Sequence, residues 1–374
     1  MSMRSIFWVL LISMANLSQS RSLAGPALRF YFIDVAWGNA TLVLTPSGKT
    51  MLIDTGDRET AGSVIDVLQR AGVKRIDYLL ITHYHSDHNG ALPMLAAKFP
   101  IRTIVDHGAN VEFEKTDNWW KHRRNDFEPG LAKQTDDEHR TYLKICEQHG
   151  HSVVKAGDRV PLAGVEVQVL TAGNKMIAQP LKGAGAPNAF CAKTEFRPED
   201  DTEDGQSIGL LMSYGKFRLV FLGDLTWDAE QRLFCPQNRV GITDVYLITH
   251  HAQSFDRSFS DFYWGLSCCP PAEVYALRPR VAILSMGKDG HPLDAGANAA
   301  GLNIVQKCPG LEDIWQTNYF TGGGEKGHNA PEQFCANVGK SEKAEYIELS
   351  AEVDGAFDIT NSRNGYTKHY RPRQ

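Results

Sequence analysis

The chain has 374 residues, 42% of them hydrophobic and 22% charged, an ordinary globular balance with ample length for a large core. A net charge of −5 and a pI near 6.2 exclude the basic excess that would draw a whole protein onto a polyanion. One dense basic cluster remains, Trp119-Trp120-Lys121-His122-Arg123-Arg124. It reads first as a solvated loop and second as a patch in which aromatic faces interleave with cations to contact phosphates or bases.

At the N-terminus, Arg4 precedes an apolar stretch from Ile6 to Ala15 that gives way to small and polar residues. This is the pattern of a secretory signal peptide over residues 1–20, with cleavage as late as residue 24. An uncleaved N-terminal anchor is the competing reading. Export implies a secreted or periplasmic protein. No later segment approaches eighteen uninterrupted apolar residues, so no membrane span is expected in the mature chain. The seven cysteines, at 146, 191, 235, 268, 269, 308 and 335, are odd in number and none stands in a CxxC pair. Export would allow some of them to pair, at least one stays free or pairs outside the chain, and a thiolate zinc knuckle is not expected.

Strands are expected over residues 28–35, 40–45 and 50–53, the last running into Asp54-Thr55-Gly56. A helix follows, with Val64, Val67, Leu68 and Ala71 on one face and Gly72 at its end. The apolar run Tyr78-Leu79-Leu80-Ile81 then leads into Thr82-His83-Tyr84-His85-Ser86-Asp87-His88. A short helix over 91–98 is stopped by Pro100, and a strand over 102–105 ends at Asp106-His107. Residues 109–136 read as a polar and aromatic insertion, 137–149 as a helix, and 159–170 as a hairpin about Ala163-Gly164. Residues 179–206 form a long Gly-, Pro- and acid-rich loop, a length that suggests a role at a binding face.

The second half repeats the first. A hairpin over 208–222 ends in Gly223-Asp224, a helix covers 227–234, and the strand over 244–248 runs into Thr249-His250-His251. A buried strand ending in Thr-His thus occurs twice, each time after a strand that ends in aspartate. Two β-then-α halves facing each other, with strand ends converging on one edge, account for this. Further strands are expected over 279–285, 313–316, 346–349 and 357–360. No linker divides the chain, so residues 25–374 are read as a single domain with a C-terminal strand extension.

Four potential ligands, His83, His85, Asp87 and His88, lie at one strand end. Imidazole and carboxylate there point to a metal site for Zn²⁺, with Mn²⁺ or Fe as alternatives, and for one or two ions. Asp224 is the best further ligand, because its two oxygens could bridge two ions. His250 is preferred over His251 as the next ligand because its position mirrors His83, although the two could exchange roles. Asp54 is expected either to orient a ligand histidine or to cap a turn. His291-Pro292 could bring one more histidine to this edge or stay in a loop, and Gly322-Gly323-Gly324 reads as a flexible connection.

The motif His83-x-His85-x-Asp87-His88, with Asp54-Thr55-Gly56 before it and Gly223-Asp224 and His250 after it, resembles the metallo-β-lactamase superfamily. The resemblance spans roughly residues 30–285. Ile33-Asp34-Val35-Ala36-Trp37-Gly38-Asn39-Ala40, the Pro46-Ser47-Gly48-Lys49 turn and the histidine doublet resemble the soluble hydrolase domain of competence (DNA-internalisation) proteins and its stand-alone exported relatives. The resemblance implies an α/β (α+β) four-layer αββα sandwich with a binuclear site at one sheet edge. The sequence departs from the family in lacking a histidine about twenty residues before Asp224, a feature the competence branch often lacks too. Asp204, Glu203 or His107 could replace it. It departs again at Ala252, where the branch usually has glycine.

The expected activity is metal-dependent hydrolysis by a metal-bound hydroxide, with Asp87 holding one metal and accepting a hydrogen bond from the nucleophilic water, and His251 or a metal-bound water protonating the leaving group. A phosphodiester, in nucleic acid or a smaller molecule, is the favoured substrate. Aspartate rather than cysteine at 224 argues against a true β-lactamase. The alternatives are an ester, lactone or amide hydrolase, or a binding protein that has lost turnover. No obligate protein partner is evident.

Overall fold

The structure, a computed structural model, describes residues 27–121, 130–254, 257, 261–285, 298–320, 329–339 and 343–374. Residues 1–26, His122-Arg123-Arg124 of the basic run, His291-Pro292 and Gly322-Gly323-Gly324 lie outside the described residues. Among the described residues no helix is long and apolar enough to cross a membrane.

In chain order the first strands are β1 (Leu28–Ile33), β2 (Thr41–Leu44), β3 (Thr50–Ile53), β4 (Ile76–Leu80), β5 (Ile101–Asp106) and β6 (Gly150–Val153). There follow β7 (Arg159–Val160), β8 (Glu166–Ala172), β9 (Lys175–Met176), β10 (Gly209–Tyr214), β11 (Phe217–Phe221) and β12 (Val245–Leu247). The last are β13 (Val281–Leu284), β14 (Asp313–Asn318), β15 (Cys335–Asn337), β16 (Tyr346–Ala351), β17 (Phe357–Asn361) and β18 (Thr367–Tyr370). One sheet runs β18-β17-β16-β1-β2-β3-β4-β5-β6, and the other β15-β14-β13-β12-β11-β10-β8-β7 with β9 paired to β8.

The period-2 geometry of a strand sorts its side chains between two layers. Phe30 and Phe32 of β1, Leu80 of β4, Leu210 and Met212 of β10, and Leu219 and Phe221 of β11 share the core between the sheets. Their neighbours face outward. Ile33 and Leu79 pack under helices α1 (Ala61–Arg70), α3 (Leu92–Lys98) and α5 (Leu131–Cys146), which follow here with α2 (Ser86–Asn89) and α4 (Asp117–Lys121). Leu211 and Val220 pack under the helices Trp227–Phe234 and Pro271–Leu277. The result is the four-layer αββα sandwich. α1 buries Ala61, Val64, Val67 and Leu68 on one face and ends in left-handed Gly72 (φ +77°), which lets the Val73 amide close back on the Leu68 carbonyl.

Some local expectations shift. α5 begins at Leu131, well before the expected residue 137. β6 was unforeseen because Gly150-His151-Ser152-Val153 lies exposed on both faces at the sheet edge and shows no alternation. Trp120 is 3% exposed, so its ring offers no free face within the basic cluster. A disulfide joins Cys191 to Cys235, and the other five cysteines are free and buried. That cross-link closes the stretch carrying both Asp204 and Asp224.

What positions chemistry is the run of parallel strands in each sheet. β3, β4 and β5 are mutually parallel, as are β11, β12 and β13. Their carboxyl ends deliver Asp54, Thr82-His83, Asp106, Asp224, Thr249-His250-His251 and Ser285 along one edge of the molecule, where ligands of open parallel sheets are bound.

Candidate metal centre

The turn after β4 is organised by Asp54, which is fully buried and held at φ +59°. Its carboxylate accepts the Thr82 amide (2.8 Å) and the Thr82 hydroxyl (2.9 Å), and pairs with His88 Nδ1 at 2.8 Å. Of the two expectations for Asp54, orientation of a ligand histidine is the geometry found. With Nδ1 engaged, His88 turns Nε2 inward. At the start of α2 the amides of His88 and Asn89 both close on the His85 carbonyl, and Thr55 N–H holds the His88 carbonyl at 2.7 Å.

Ligand atoms meet at this edge in two groups: His83, His85 and Asp204, which His250 and Asp224 join through Asp204, and Asp87, His88, Asp224 and His251. In the first, His83 Nε2 and His85 Nδ1 face Asp204 Oδ1 at 3.5 and 2.9 Å. His250 Nε2 stands 3.9 Å from Asp204 Oδ2 and 3.8 Å from Asp224 Oδ2. In the second, Asp224 Oδ2 is 3.2 Å from His88 Nε2 and 3.3 Å from His251 Nε2, while Asp87 Oδ2 is 3.5 and 3.8 Å from the same two nitrogens. Four ligands at about 2.0–2.1 Å around a tetrahedral ion stand about 3.3 Å apart, the spacing of the second group. His88 Nε2 and His251 Nε2 are buried and lack the alignment of a hydrogen bond despite their proximity to Asp224. Imidazole nitrogens and carboxylate oxygens that converge without a hydrogen bond to settle the buried nitrogens are what a metal ion satisfies, so the residues fit the group the sequence implies.

The electrostatics agree. Burial opposes charge on His88, but Asp224, Asp87 and Asp54 outweigh it and hold the ring well above its ordinary pKa. Burial likewise opposes the Asp224 carboxylate, yet His88, His251 and His250 hold it well below the usual range. Asp204, also opposed by burial, is pulled down to about 2 by His85, His250 and His83. The site demands positive charge beside three carboxylates, as a divalent cation supplies.

Of the three replacements weighed for the absent histidine, Asp204 reaches the first group. Glu203 and His107 do not. They pair with each other at 3.1 Å, and Glu203 also receives the amides of Val111 (2.6 Å) and Tyr84 (3.3 Å). The sequence favours His250 over His251, whereas the structure brings both in, to different groups. The reason is backbone conformation. His250, His251 and Ala252 have φ of 45, 53 and 62°, so successive side chains do not alternate as they would in a strand. Left-handed non-glycine residues cost about 1–2 kcal/mol each, and strain of this kind concentrates at functional sites. His251 Nδ1 bonds the Ser285 carbonyl at 3.0 Å, which fixes Nε2 toward Asp87 and Asp224.

Two residues of the site went unforeseen. Glu112, within the stretch read as an insertion, pairs with His85 Nε2 at 3.1 Å and accepts the Glu203 amide at 3.2 Å. It therefore leaves Nδ1 of His85 for the first group. Asp200, pushed up to about 7 by burial and by Asp204, accepts the Thr202 amide and hydroxyl and the Thr226 hydroxyl, tying the Asp204 loop to the segment after Asp224. The length and acidity of the 179–206 loop hinted at the role of Asp200, whereas nothing in the 109–136 stretch pointed to Glu112. Glu112→Ala is expected to weaken metal binding at the first group by about 10–100-fold, the usual cost of losing a ligand's orienting partner. Competition with a chromophoric chelator measures it.

Residues 36–159 match the metallo-beta-lactamase superfamily. The chain is 37% identical over 71 residues to hydroxyacylglutathione hydrolase of Rhodopseudomonas palustris (strain HaA2), covering 19% of this chain and 26% of that protein. It is 22% identical over 282 residues to ComE operon protein 3 of Bacillus subtilis (strain 168), covering 70% of this chain and 29% of that protein. Under a third of the length of each of these curated relatives is thus matched. Among solved structures, the metallo-beta-lactamase fold protein YhfI of Bacillus subtilis aligns with a TM-score of 0.42 at 10% identity, covering 78% of this chain and 96% of that one.

Proposed function

We propose, for a chain whose residues 36–159 match the metallo-β-lactamase superfamily, a metal-dependent hydrolase that uses two ions and acts on a phosphodiester, in nucleic acid or a smaller molecule. The observation that carries it is Asp224, whose Oδ2 lies within 3.8 Å of His88, His251 and His250 and so stands between both groups of ligands. His83, His85, Asp204, His250 and Asp224 would hold one ion; Asp87, His88, His251 and Asp224 would hold the other. Bound ions supply Lewis acidity, lower the pKa of a coordinated water, and clamp the attacking and leaving oxygens of an in-line displacement.

The protein's own groups do the rest. Asp87 is ionised, because His88 and His251 outweigh the burial that opposes its charge, and its side chain is 17% exposed. It is the acceptor placed to hold a proton of the attacking water at Oδ2. His251 is 3% exposed, with Nδ1 on the Ser285 carbonyl and Nε2 toward Asp224, and in this reading it serves as a holding group. His85, 28% exposed, marks the other accessible end. A donor set of imidazoles and carboxylates with no thiolate favours phosphoryl chemistry. The match to ComE operon protein 3 along 70% of the chain supports the competence-like resemblance. The matched hydroxyacylglutathione hydrolase segment favours acyl-ester hydrolysis as the second reading.

A panel of bis(p-nitrophenyl) phosphate, single-stranded DNA, a lactone and a β-lactam separates the readings, with His85→Ala as control. Phosphodiester turnover that His85→Ala abolishes is the expected result. Turnover of the lactone alone would select the second reading, and activity that persists in His85→Ala would place the chemistry elsewhere.

A further inference from the structure

The two Thr-His strand ends are gripped in the same way by different groups. After β4, Asp54 Oδ1 takes both the amide (2.8 Å) and the hydroxyl (3.0 Å) of Thr82, the residue before His83. After β12, the Tyr246 hydroxyl accepts the Thr249 amide at 3.1 Å and pairs with the Thr249 hydroxyl at 2.9 Å, one residue before His250. A phenol oxygen stands where the first half has a carboxylate.

Packing alone does not call for that oxygen. Val245 and Leu247 face the core between the sheets, so Tyr246 points the other way, into the apolar layer with Val220, Leu233 and Val274. A phenylalanine would fill this layer equally well. The hydroxyl is fully buried there, at a desolvation cost that only its hydrogen bonds offset. Those bonds go to Thr249 and, at 3.4 Å, to Cys269 Sγ. Two buried acids back them. The Thr249 hydroxyl donates to Glu273 Oε1 at 3.5 Å, which leaves the Tyr246 O–H to donate to Thr249 Oγ1. Glu230, which bonds Glu273, also takes the Cys269 amide at 2.8 Å.

Beyond Thr249 lies the left-handed run His250-His251-Ala252, which must be held if it is to persist. The Cys268 thiol donates to the Thr249 carbonyl at 3.0 Å, and the Gln253 amide returns to the His250 carbonyl at 2.8 Å. A Cβ on Gly301 would fall 2.4 Å from the Ala252 carbonyl oxygen, so the run is also pressed from behind. The need is greatest at His250. His88 is oriented by Asp54 and His251 by the Ser285 carbonyl, both through Nδ1. His250 Nδ1 is buried with no hydrogen-bond partner among the described residues. The direction of that ring is therefore set by its backbone, and the backbone is fixed at Thr249.

We propose that Tyr246 is a positioning residue for the metal centre, the second half's counterpart of Asp54, whose hydroxyl fixes Thr249 so that His250 faces Asp204 and Asp224. This rests on the metal-centre reading above and is independent of the choice of a phosphodiester.

Tyr246→Phe removes one oxygen and keeps the ring. Cobalt(II) competition against a chromophoric chelator is expected to show one of the parent's two equivalents weakened about 10–100-fold, as for a lost orienting partner, and the other, served by His251, within about threefold. Leu233→Ala, in the same apolar layer, is the control for stability alone: its melting temperature is expected to fall while both equivalents stay within about threefold of the parent. In metal-free protein, nitrogen–proton NMR correlations of the imidazoles are expected to move for His250 in Tyr246→Phe and to stay in place for His88. Should Tyr246→Phe not fold, Thr249→Val, which deletes the partner hydroxyl, is read in its place. Unchanged cobalt affinity in Tyr246→Phe, or an equal loss in Leu233→Ala, would overturn the proposal and leave Tyr246 as packing. Should the parent bind no cobalt, the metal reading fails by itself. The metal-free spectrum then decides: a shift of His250 supports the role of Tyr246, and an unmoved His250 overturns it.

Discussion

Asp224→Ala is expected to strip both metal positions at once. The parent protein should hold two ions per chain and the variant fewer than one, with kcat/KM on a phosphodiester falling by at least about 10³-fold, more than the loss of a single transition-state contact. The reason is topological. Gly223 turns at φ +60°, Ser207 Oγ fixes the Asp224 amide at 3.1 Å, and the carboxylate is left between His88 and His251 on one side and His250 on the other. The other ligands serve one group each, Asp204 excepted within the first. Without Asp224, His88 keeps Asp54 on Nδ1 and Asp87 beside Nε2, so the fold retains its nearest internal pairings. Circular dichroism and thermal melts on the same preparation check that the variant is folded.

The second large effect concerns Asp204, the residue that stands where the superfamily pattern leads one to expect histidine. Asp204→Ala removes the acidic partner of His83, His85 and His250 together. It is expected to weaken the first ion by more than about 100-fold, beyond the range for an orienting partner, while the second ion stays bound. Stoichiometry by plasma mass spectrometry should drop from two to one. Asp204→His, which returns an imidazole to that place, is expected to restore the second equivalent and to shift selectivity toward Zn²⁺, since it replaces an oxygen donor with a nitrogen one. Equal loss of both ions in Asp204→Ala would mean that the two groups do not act as separate positions.

The parts of this centre that could be read in advance are those set by short-range chain geometry. His83, His85, Asp87 and His88 lie within one strand end and one helical turn, so residue type and spacing alone assemble them. Asp224 followed from an apolar strand that ends in an acid with no structural need for it. The layered core was equally legible, because alternation along β1, β10 and β11 sorts side chains between the sheets wherever both faces are covered. Asp204 could be named only as one of three, because residues 179–206 carry no periodicity and their path depends on contacts such as Asp200 to Thr226. Glu112 had no signal at all: an acid in a polar stretch is ordinarily solvated, and only the pairing with His85 gives it a role. The histidine doublet misled for a conformational reason. Alternation in an extended chain permits one inward side chain of two, whereas three consecutive left-handed residues bring both inward.

The central claim is a two-ion centre bridged by Asp224, and metal stoichiometry tests it most directly. Purified parent protein, stripped and reloaded with Zn²⁺ or Mn²⁺ and then passed through a desalting column, is predicted to retain two equivalents per chain, against fewer than one in Asp224→Ala. Parent protein that retains no transition metal, or parent and variant that retain the same amount, would contradict it.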